Sequence, residues 1–356
     1  MTSAAICESR YSRRLADGRV ECTLCPRLCR LRDGKRGVCY LRQAQNGGMV
    51  LAEYGRTSGL CLDPIEKKPL FHFYPGSAAL SFGTAGCNLT CRFCQNWQIS
   101  KSRASQTLAV AASPDDIAAL ALRHGCRSVA LTYNDPVIYL EYACAVARAC
   151  HAHQLATVAV TAGYINPQPA VEFFADMDAA NVDLKGFSEA FYRHYCGGRL
   201  APVLETLRYL RQHTAVWLEL TTLLIPGVND EPAMLRAMCQ WIGLELGPEV
   251  PLHFTAFHPD YHLRDRPATP LATLLAARQL ARDVGLHHVY IGNRSDVEGE
   301  CTRCARCAAP LIERQGYQLT GWHLQQGRCP HCHLPLPGRF ADGPGDWGAR
   351  RMRLLP

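Results

Sequence analysis

The chain has 356 residues, of which 48% are hydrophobic and 19% are charged, and its formal net charge is +7. This length is sufficient for one large domain with small attachments. The mild positive charge forms no basic stripe interleaved with aromatic residues, which argues against nucleic-acid binding. Nineteen cysteines, without a signal peptide or a long apolar run, indicate metal ligation in a reducing compartment rather than disulfide bonds. We therefore expect a cytoplasmic protein that does not enter a membrane.

Residues 1–70 are predicted to form a cysteine-rich metal-binding segment. Four of its cysteines follow the spacing C-x2-C-x3-C-x9-C, and Pro26, Gly34 and Gly37 supply turns between them. Four soft ligands at this spacing can enclose one metal ion. The pattern differs from the ferredoxin run, so zinc is favoured over a second iron–sulfur cluster, and buried free thiols are the remaining alternative. The candidate ligands are Cys22, Cys25, Cys29 and Cys39.

Residues 71–295 alternate short apolar runs with amphipathic helical patterns. One helix is predicted between Ser113, a good N-cap, and Gly125, a stop signal, and two more over 137–151 and 271–284. Repeated strand–helix units of this length imply an α/β fold with parallel strands and right-handed crossovers, either an open barrel or a full one. The predicted strands cover 79–82, 128–132, 156–161, 179–183, 216–224, 251–256 and 288–291.

The first predicted strand of this unit leads into the run Cys87-Asn-Leu-Thr-Cys91-Arg-Phe-Cys94. Its three thiolates are one fewer than a closed metal site needs, because a structural zinc takes four ligands and an electron-transfer iron–sulfur cube usually takes four cysteines. The residues around them offer no good fourth ligand. A 4Fe-4S cluster with one open iron is therefore favoured over an incomplete zinc knuckle or unrelated free thiols.

Polar clusters follow the later predicted strands at the points where those strands end. In barrels of parallel strands the reactive loops lie at these carboxyl ends. Each cluster alone is typical of a turn, and their agreement in position indicates a site. The clusters begin at Thr132, Thr161, Asp183, Thr221, Pro226, His258 and Tyr290.

Residues 296–337 are predicted to be a zinc-ribbon-like domain. It contains two C-x2-C knuckles about twenty residues apart, joined by a strand-like stretch. The candidate zinc ligands are Cys304, Cys307, Cys329 and Cys332. Cys301 adds a fifth thiol, so the ligand set can be permuted. Beyond the ribbon, residues 338–356 are rich in Gly, Pro and Arg, which predicts a flexible tail.

Three further motifs accompany the cysteine groups: Val182-Asp-Leu-Lys-Gly-Phe187, Leu224-Ile-Pro-Gly-Val-Asn-Asp230 and Phe254-Thr-Ala-Phe-His-Pro-Asp-Tyr261. Together with the central cysteine run, they resemble the AmmeMemoRadiSam-system radical S-adenosylmethionine (SAM) enzymes, which are relatives of the pyruvate formate-lyase activating enzymes. The resemblance covers about residues 20–335. It implies a radical SAM partial (β/α) barrel flanked by the cysteine-rich segment and the ribbon.

The same resemblance implies a chemistry. A 4Fe-4S cluster on Cys87, Cys91 and Cys94 would present its open iron to the amino and carboxylate groups of SAM. Reductive cleavage of SAM would give a 5′-deoxyadenosyl radical that abstracts hydrogen from a substrate, in an enzyme of oxidoreductase or lyase type. The sequence does not identify that substrate. The implied partners are an electron donor of flavodoxin or ferredoxin type and proteins of Memo and AMMECR type.

By resemblance, Asn134 and Asp135 would hold the SAM ammonium, a task for which a carboxylate is suited. Asp183 and Lys185 would meet the SAM carboxylate, the ribose or the substrate, with a local ion pair as the alternative. The residues expected near the adenosine are Phe93, His258, Tyr290, Gly292 and Asn293. Two positions depart from the family pattern, since relatives generally carry Asn where Ala162 stands and Glu where Asp135 stands.

Two other functions stay open at this point. One is a glycyl-radical-enzyme activase, whose substrate is a backbone glycine of a large partner. The other is a non-enzymatic metal-binding scaffold, which predicts loss of cluster cysteines or of the polar residues facing SAM. All three cysteines are present, so the scaffold ranks last.

Overall fold

The computed structural model describes residues 5–103 and 110–354. Two small antiparallel sheets open the chain, with strand orders β1-β6-β5 and β2-β3-β4. Strand β7 leaves them and pairs with the first strand of the central sheet. Of the predicted N-terminal segment, residues 1–4 lie outside the described residues. The strands are β1 Ala5–Ser9, β2 Ser12–Arg14, β3 Val20–Cys22, β4 Arg30–Leu31, β5 Arg42–Gln45, β6 Gly48–Tyr54 and β7 Arg56–Pro64.

The central sheet contains seven parallel strands in the order β8-β10-β11-β12-β13-β14-β15. The short strand β9 pairs with β7 instead. Within the described residues β15 pairs only with β14, so the barrel stays open, and the predicted α/β fold with a parallel sheet is confirmed. The strands are β8 Ala78–Gly83, β9 Val110–Ala111, β10 Ser128–Leu131, β11 Ala156–Thr161, β12 Ala179–Asp183, β13 Trp217–Leu224, β14 Leu252–Ala256 and β15 Val289–Gly292.

Helices connect these strands and begin where the sequence signals a start. The Ser113 hydroxyl accepts a hydrogen bond from the Asp116 amide, and the Asp116 carboxylate accepts one from the Ser113 amide, which completes a capping box. The helix predicted from Val137 begins only at Leu140, because the residues before it, Pro136–Tyr139, form a 3-10 turn. The helices are α1 Trp97–Ser100, α2 Pro114–Arg123, α3 Leu140–Ala152, α4 Pro167–Ala175, α5 Glu189–Phe191, α6 Ala201–His213, α7 Pro232–Glu245, α8 Leu271–Asp283 and α9 Val297–Glu300.

Six of these helices are missing from the sequence prediction, and the three long ones among them are α4, α6 and α7. Each of these three has a proline in its first turn, at Pro167, Pro202 and Pro232. Proline is favoured in the first turn because an N–H there has no partner within the helix, so its absence costs nothing. These prolines were therefore available as signals of a helix start. No helix among the described residues is long and apolar enough to cross a membrane.

The C-terminal ribbon consists of β16 Thr302–Arg303, β17 Pro310–Gln315 and β18 Gln318–Trp322 in one antiparallel sheet. Arg314 of β17 fixes this sheet to the barrel. Its buried guanidinium donates to the Phe71 carbonyl at 2.7 Å and to the Thr302 hydroxyl at 2.9 Å, and it lies over the Phe71 ring. Its Nε also lies 3.8 Å from the buried Glu66 carboxylate. One cation thus joins three parts of the chain.

Replacing Arg314 with alanine is expected to lower the free energy of unfolding by about 3–5 kcal/mol, because the change leaves buried acceptors without their donor. Urea titration of the purified protein measures this value. Arg306→Ala is the matched control, since Arg306 is an exposed arginine of the same ribbon. A loss below about 1 kcal/mol for Arg314→Ala would show that the ribbon is held by other contacts.

The structure differs from the flexible tail predicted for residues 338–356. The strand β19 Met352–Arg353 pairs with β7, and the amides of Gly345 and Trp347 donate to the carbonyls of Pro75 and Gly76. A Cβ on Gly345 would lie 2.4 Å from the Gly76 backbone, so this glycine permits close packing rather than flexibility. Residues 355 and 356 lie outside the described part of the chain.

Candidate active site

A cavity of about 350 Å³ opens at the carboxyl ends of the parallel strands, where the sequence predicts the site. Its volume lies within the range of small-molecule sites. The structure brings together many of the predicted residues there. The cavity is lined by Cys87, Cys91, Phe93, Cys94, Asn134, Asp135, Asp183, Lys185 and Asn293.

The loop that carries the three cysteines is pinned to its surroundings through its backbone. The amides of Thr90 and Arg92 donate to the carbonyls of Cys196 and Tyr195, at 2.9 Å and 2.8 Å. Lys101 donates from Nζ to the Leu89 carbonyl. These bonds fix the backbone of the loop, and the three cysteine side chains line the cavity.

The three cysteine sulfurs have different environments. Burial raises the pKa of the Cys87 thiol to about 11. A hydrogen bond with the buried Cys196 lowers the pKa of the Cys91 thiol, although burial opposes this shift. The Cys94 sulfur lies 3.0 Å from the Ser100 hydroxyl. The three sulfurs do not all lie within 4.8 Å of one another, a spacing wider than one small ion would need.

Asn134 supports the cysteine loop rather than presenting a free amide to the cavity. Its amide nitrogen donates to the Thr84 hydroxyl at 3.0 Å and to the Gly86 carbonyl at 2.7 Å. Its oxygen accepts from the Thr84 amide at 3.2 Å. These bonds hold the Asn134 amide against residues 84–86, and the predicted contact with the SAM ammonium stays a prediction.

Asp135 has one carboxylate oxygen engaged and one free. Oδ1 accepts from the Thr161 hydroxyl at 2.7 Å and from the Val137 amide at 3.4 Å. Oδ2 is buried and has no hydrogen-bond partner among the described residues. Burial raises the pKa of Asp135 to about 6, although the Thr161 and Val137 bonds, the nearby Asn88 side chain and the Lys185 charge oppose the shift. A buried acceptor of this kind is costly unless a ligand supplies a donor.

Asp183 and Lys185 form an ion pair in the cavity wall, with Lys185 Nζ 2.8 Å from Asp183 Oδ2. Burial disfavours the charge on Lys185, but the Asp183 carboxylate and Cys91 raise the pKa of Lys185 well above its ordinary value. Asn229 holds this loop by donating to the Lys185 carbonyl at 2.8 Å. The motif around Asn229 is thus explained by loop positioning.

Three residues predicted near adenosine do not line this cavity. His258 is exposed on the surface, where it contacts the Gln95 amide at 2.9 Å. Tyr290 is buried against the ribbon, since its hydroxyl lies 2.6 Å from His72 Nε2 and 2.9 Å from the Thr302 hydroxyl. Gly292 lines a neighbouring cavity instead. In β15 the side chains alternate in direction, which explains why Tyr290 points away from the site.

Several cavity residues were missed by the sequence analysis. Lys67 and Lys68 lie in the connection between β7 and β8, and both pair with the buried Asp63 at 2.7 Å. Burial lowers the pKa of Lys68 to about 8. Tyr133 donates to the same carboxylate at 3.1 Å. A charged Asp-x3-Lys-Lys run beside an apolar strand was the available signal.

A second cavity, of about 450 Å³, continues from the first toward the ribbon. The two cavities share Lys67, Pro69, Thr255, Asn293 and Tyr317 as lining residues. Glu66 lies in its wall, and its Oε2 is buried without a hydrogen-bond partner in the described structure. Burial raises the pKa of Glu66 to about 7.

The ribbon cysteines form a compact group. The sulfurs of Cys304 and Cys332 are 3.4 Å apart, and those of Cys307 and Cys329 are 3.5 Å apart. All four lie within 4.8 Å of one another, so the group could hold a metal ion. Cys301 is outside this group and directs its thiol at the Thr302 carbonyl.

The cysteines of the N-terminal segment also converge, but less tightly. Cys22, Cys25, Cys29 and Cys39 line one small cavity together with Arg42. No three of their sulfurs lie within 4.8 Å of one another. The fold thus brings the four predicted ligands to one cavity, but their sulfurs are less compactly arranged than those of the ribbon cysteines.

A sequence model of the radical SAM superfamily matches residues 82–238. The chain is 39% identical over 327 residues to the "Uncharacterized protein MJ0808" of Methanocaldococcus jannaschii, an alignment that covers 91% of this chain and 97% of that protein. The match therefore extends through the N-terminal segment and the ribbon as well as the barrel.

Solved structures with a similar fold include a radical SAM methyltransferase from Sphaerobacter thermophilus, with a TM-score of 0.50 at 13% identity. This likeness covers 82% of this chain and 78% of that one and concerns the fold alone. A domain of pyruvate-formate lyase-activating enzyme from Bacteroides vulgatus covers 47% of this chain and 99% of that domain, with a TM-score of 0.41 at 15% identity. With the superfamily match on the barrel, the chain belongs to the radical SAM superfamily.

Proposed function

We propose that the protein is a radical SAM enzyme whose Cys87, Cys91 and Cys94 hold a 4Fe-4S cluster and whose cavity binds SAM. When bound, the cluster and SAM supply reductive cleavage of SAM to a 5′-deoxyadenosyl radical, which abstracts hydrogen from a substrate. The observation that carries the proposal is the free Oδ2 of Asp135, a buried acceptor in the same cavity as the three cysteines.

The cysteine geometry supports a cluster rather than a single ion. A tetrahedral ion draws its sulfurs close together, whereas each sulfur of a 4Fe-4S cluster binds a different iron atom. The three cavity cysteines lack the compact arrangement of such an ion's ligands. No other cysteine lines this cavity within the described ranges, which leaves one iron open to a ligand.

The polar residues of the cavity match the charged ends of SAM. Asp135 Oδ2 would accept a hydrogen bond from the ammonium, and this bond would remove the cost of an unsatisfied buried acceptor. Lys185, held by Asp183, offers a cation for a carboxylate. Phe93 is buried in the cavity wall and would pack against the adenosine. These residues bind and orient SAM and exclude water from it.

The second cavity is the proposed place of the substrate. It shares a wall with the SAM cavity and has its own unsatisfied acceptor at Glu66, which suits a substrate that donates a hydrogen bond. We further propose that the enzyme is of the AmmeMemoRadiSam type and receives its electron from an external donor of flavodoxin or ferredoxin type.

The test of this function is anaerobic reconstitution with iron and sulfide, followed by addition of SAM and dithionite. We expect 5′-deoxyadenosine, detected by mass spectrometry, to accumulate in proportion to protein. Samples without dithionite or without protein are the controls. Absence of product from protein with a complete cluster would contradict the proposal.

Asp135→Asn is expected to weaken SAM binding by about 10- to 100-fold, since a hydrogen bond to a charged group is worth about 1.5–3 kcal/mol. Equilibrium dialysis with the oxidised cluster measures the dissociation constant. Asp265→Asn is the matched control, because the Asp265 side chain is 73% exposed. An unchanged affinity in Asp135→Asn would exclude the ammonium contact.

The pH dependence of SAM binding follows from the same residue. The pKa of Asp135 in the folded protein is raised to about 6, so the carboxylate becomes protonated as the pH falls through that value. We expect wild-type affinity to be about tenfold weaker at pH 5 than at pH 7.5, and the step to be absent in Asp135→Asn. A pH-independent wild-type affinity would contradict this role.

A further inference from the structure

The N-terminal segment contains a second group of cysteines that is built as a metal site. Cys22, Cys25 and Cys39 are at most 8% exposed, and Cys29 completes the lining of the same small cavity. They reach it from separate turns: strand β3 ends at Cys22, and the other three cysteines lie in connections on either side of β4. The convergence of four thiols from separate turns indicates a ligand.

The spacing of the sulfurs distinguishes the kinds of ligand. A tetrahedral zinc with Zn–S bonds of about 2.3 Å holds its sulfurs about 3.8 Å apart. The ribbon group meets this spacing, with pairs at 3.4 Å and 3.5 Å. Among the described residues, neither the N-terminal group nor the three cavity cysteines contains three sulfurs within 4.8 Å of one another. The N-terminal group therefore lacks the compact arrangement of the ribbon group, as the three cavity cysteines do.

We propose that Cys22, Cys25, Cys29 and Cys39 ligate a second 4Fe-4S cluster, closed by four thiolates. Each sulfur of such a cluster binds a different iron atom, which accounts for the wide spacing. The sequence alone favoured zinc here, because the spacing of the cysteines along the chain does not follow the ferredoxin run. In the folded chain these four sulfurs lack the compact arrangement of the ribbon group, which reverses that preference.

The surroundings of the site suit an anionic cluster. Arg42 lines the same cavity with its side chain 1% exposed, and it donates to Glu141 at 2.7 Å and to the Ile138 carbonyl at 2.9 Å. These bonds hold a buried cation beside the four sulfurs. The backbone amides of Leu41 and Arg42 also direct hydrogen bonds at the Cys39 sulfur. Charge and hydrogen bonds of this kind stabilise a cluster that carries net negative charge.

The second site adjoins the loop of the first. Arg27 donates from Nε to the Asn88 carbonyl at 2.8 Å, and Asn88, which follows Cys87 in sequence, also lines the N-terminal cavity. The Cys39 carbonyl lies so close to Gly86 that a Cβ there would approach it to 2.0 Å. Two clusters in these positions would be near neighbours, and their unpaired spins would interact when both are reduced.

Metal analysis of the full chain tests this inference separately from the proposed function. After anaerobic reconstitution we expect about eight iron and eight sulfide per wild-type chain, and about four of each in the triple variant Cys87→Ala/Cys91→Ala/Cys94→Ala. The double variant Cys22→Ala/Cys39→Ala should also retain about four, and Cys304→Ala/Cys307→Ala should retain all eight. Electron paramagnetic resonance of the reduced wild type should show spin–spin broadening that is absent from both iron-depleted variants.

Each result of these measurements supports or contradicts one of the two proposed clusters. Zinc without iron in the triple variant, or about four iron in a wild type whose Mössbauer spectrum shows one cluster, would overturn the second cluster. Equal iron content in wild type and triple variant would instead contradict the cluster on Cys87, Cys91 and Cys94 while leaving the N-terminal one intact. If a variant does not fold, the wild-type iron count and Mössbauer spectrum alone decide between one cluster and two.

Discussion

Replacement of Cys91 by alanine is expected to reduce 5′-deoxyadenosine formation by more than about a thousand-fold, to the level of the reagents alone. Cys91 lies between the other two cysteines in sequence and is 7% exposed in the cavity wall. Without its thiolate, the proposed 4Fe-4S cluster would keep only two protein ligands, too few to hold it in the cavity proposed for SAM. Anaerobic turnover with dithionite, read by mass spectrometry, measures the loss.

Cys239→Ala is the matched control for this experiment. Cys239 is a fully buried cysteine of α7 that does not line the cavity, so its replacement removes a thiol from the core without touching the site. We expect this variant to keep wild-type iron content and activity. Retention of more than about a tenth of the wild-type rate in Cys91→Ala would contradict the ligand assignment.

Gly86→Ala is expected to prevent assembly of the site through the backbone alone. Gly86 has φ of +96°, a conformation that side chains rarely adopt, and an added Cβ would lie 2.0 Å from the Cys39 carbonyl oxygen. The chain must move apart at the contact between the N-terminal segment and the cysteine loop. We expect a loss of about 2–5 kcal/mol in the free energy of unfolding, from overpacking and backbone strain together.

Gly125→Ala is the control that separates backbone strain at a positive φ from the steric clash of an added Cβ. Gly125 has φ of +65°, but an added Cβ would meet no atom within 4 Å. This control should lose only about 1 kcal/mol and retain full iron content, whereas Gly86→Ala should lose iron as well as stability. Urea unfolding and iron analysis of the two variants give both values. Equal effects in both would mean that the Cys39 contact is not what holds the loop.

Much of the fold can be predicted from the sequence because its signals are local. Ser113 and Pro114 mark a helix start, and Gly125 ends that helix, as the structure has it. The apolar runs of the central unit become parallel strands, since such strands are buried on both faces. The composition of residues 338–356 predicts a flexible tail, whereas the structure has the described part of this segment packed on the barrel. Glycines that permit close packing, such as Gly345, cannot be told from those of a flexible linker by composition.

Part of the site was predictable from local motifs and from the positions at which the parallel strands end. The central cysteine run and Asp135 reach the predicted cavity for that reason. Lys67 and Lys68 enter the cavity through the β7–β8 connection, and the charged run that contains them does not by itself show which cavity they reach. His258 follows a strand as expected, but its side chain turns to the surface and contacts Gln95. The order of the strands predicts the edge of the sheet at which a residue lies. The direction of its side chain depends on the conformation of the loop and can be read only from the folded structure.

The open iron is the central claim, and electron–nuclear double resonance of the reduced cluster tests it most directly. SAM labelled with ¹⁵N at its amino group and ¹⁷O at its carboxylate would be added to the reduced protein, with Cys22→Ala/Cys39→Ala used to isolate the signal of the cavity cluster. We predict hyperfine coupling to both labels, because the amino and carboxylate groups of SAM would both bind the open iron of the proposed cluster. A fully assembled cavity cluster with no coupling to either label would contradict the account.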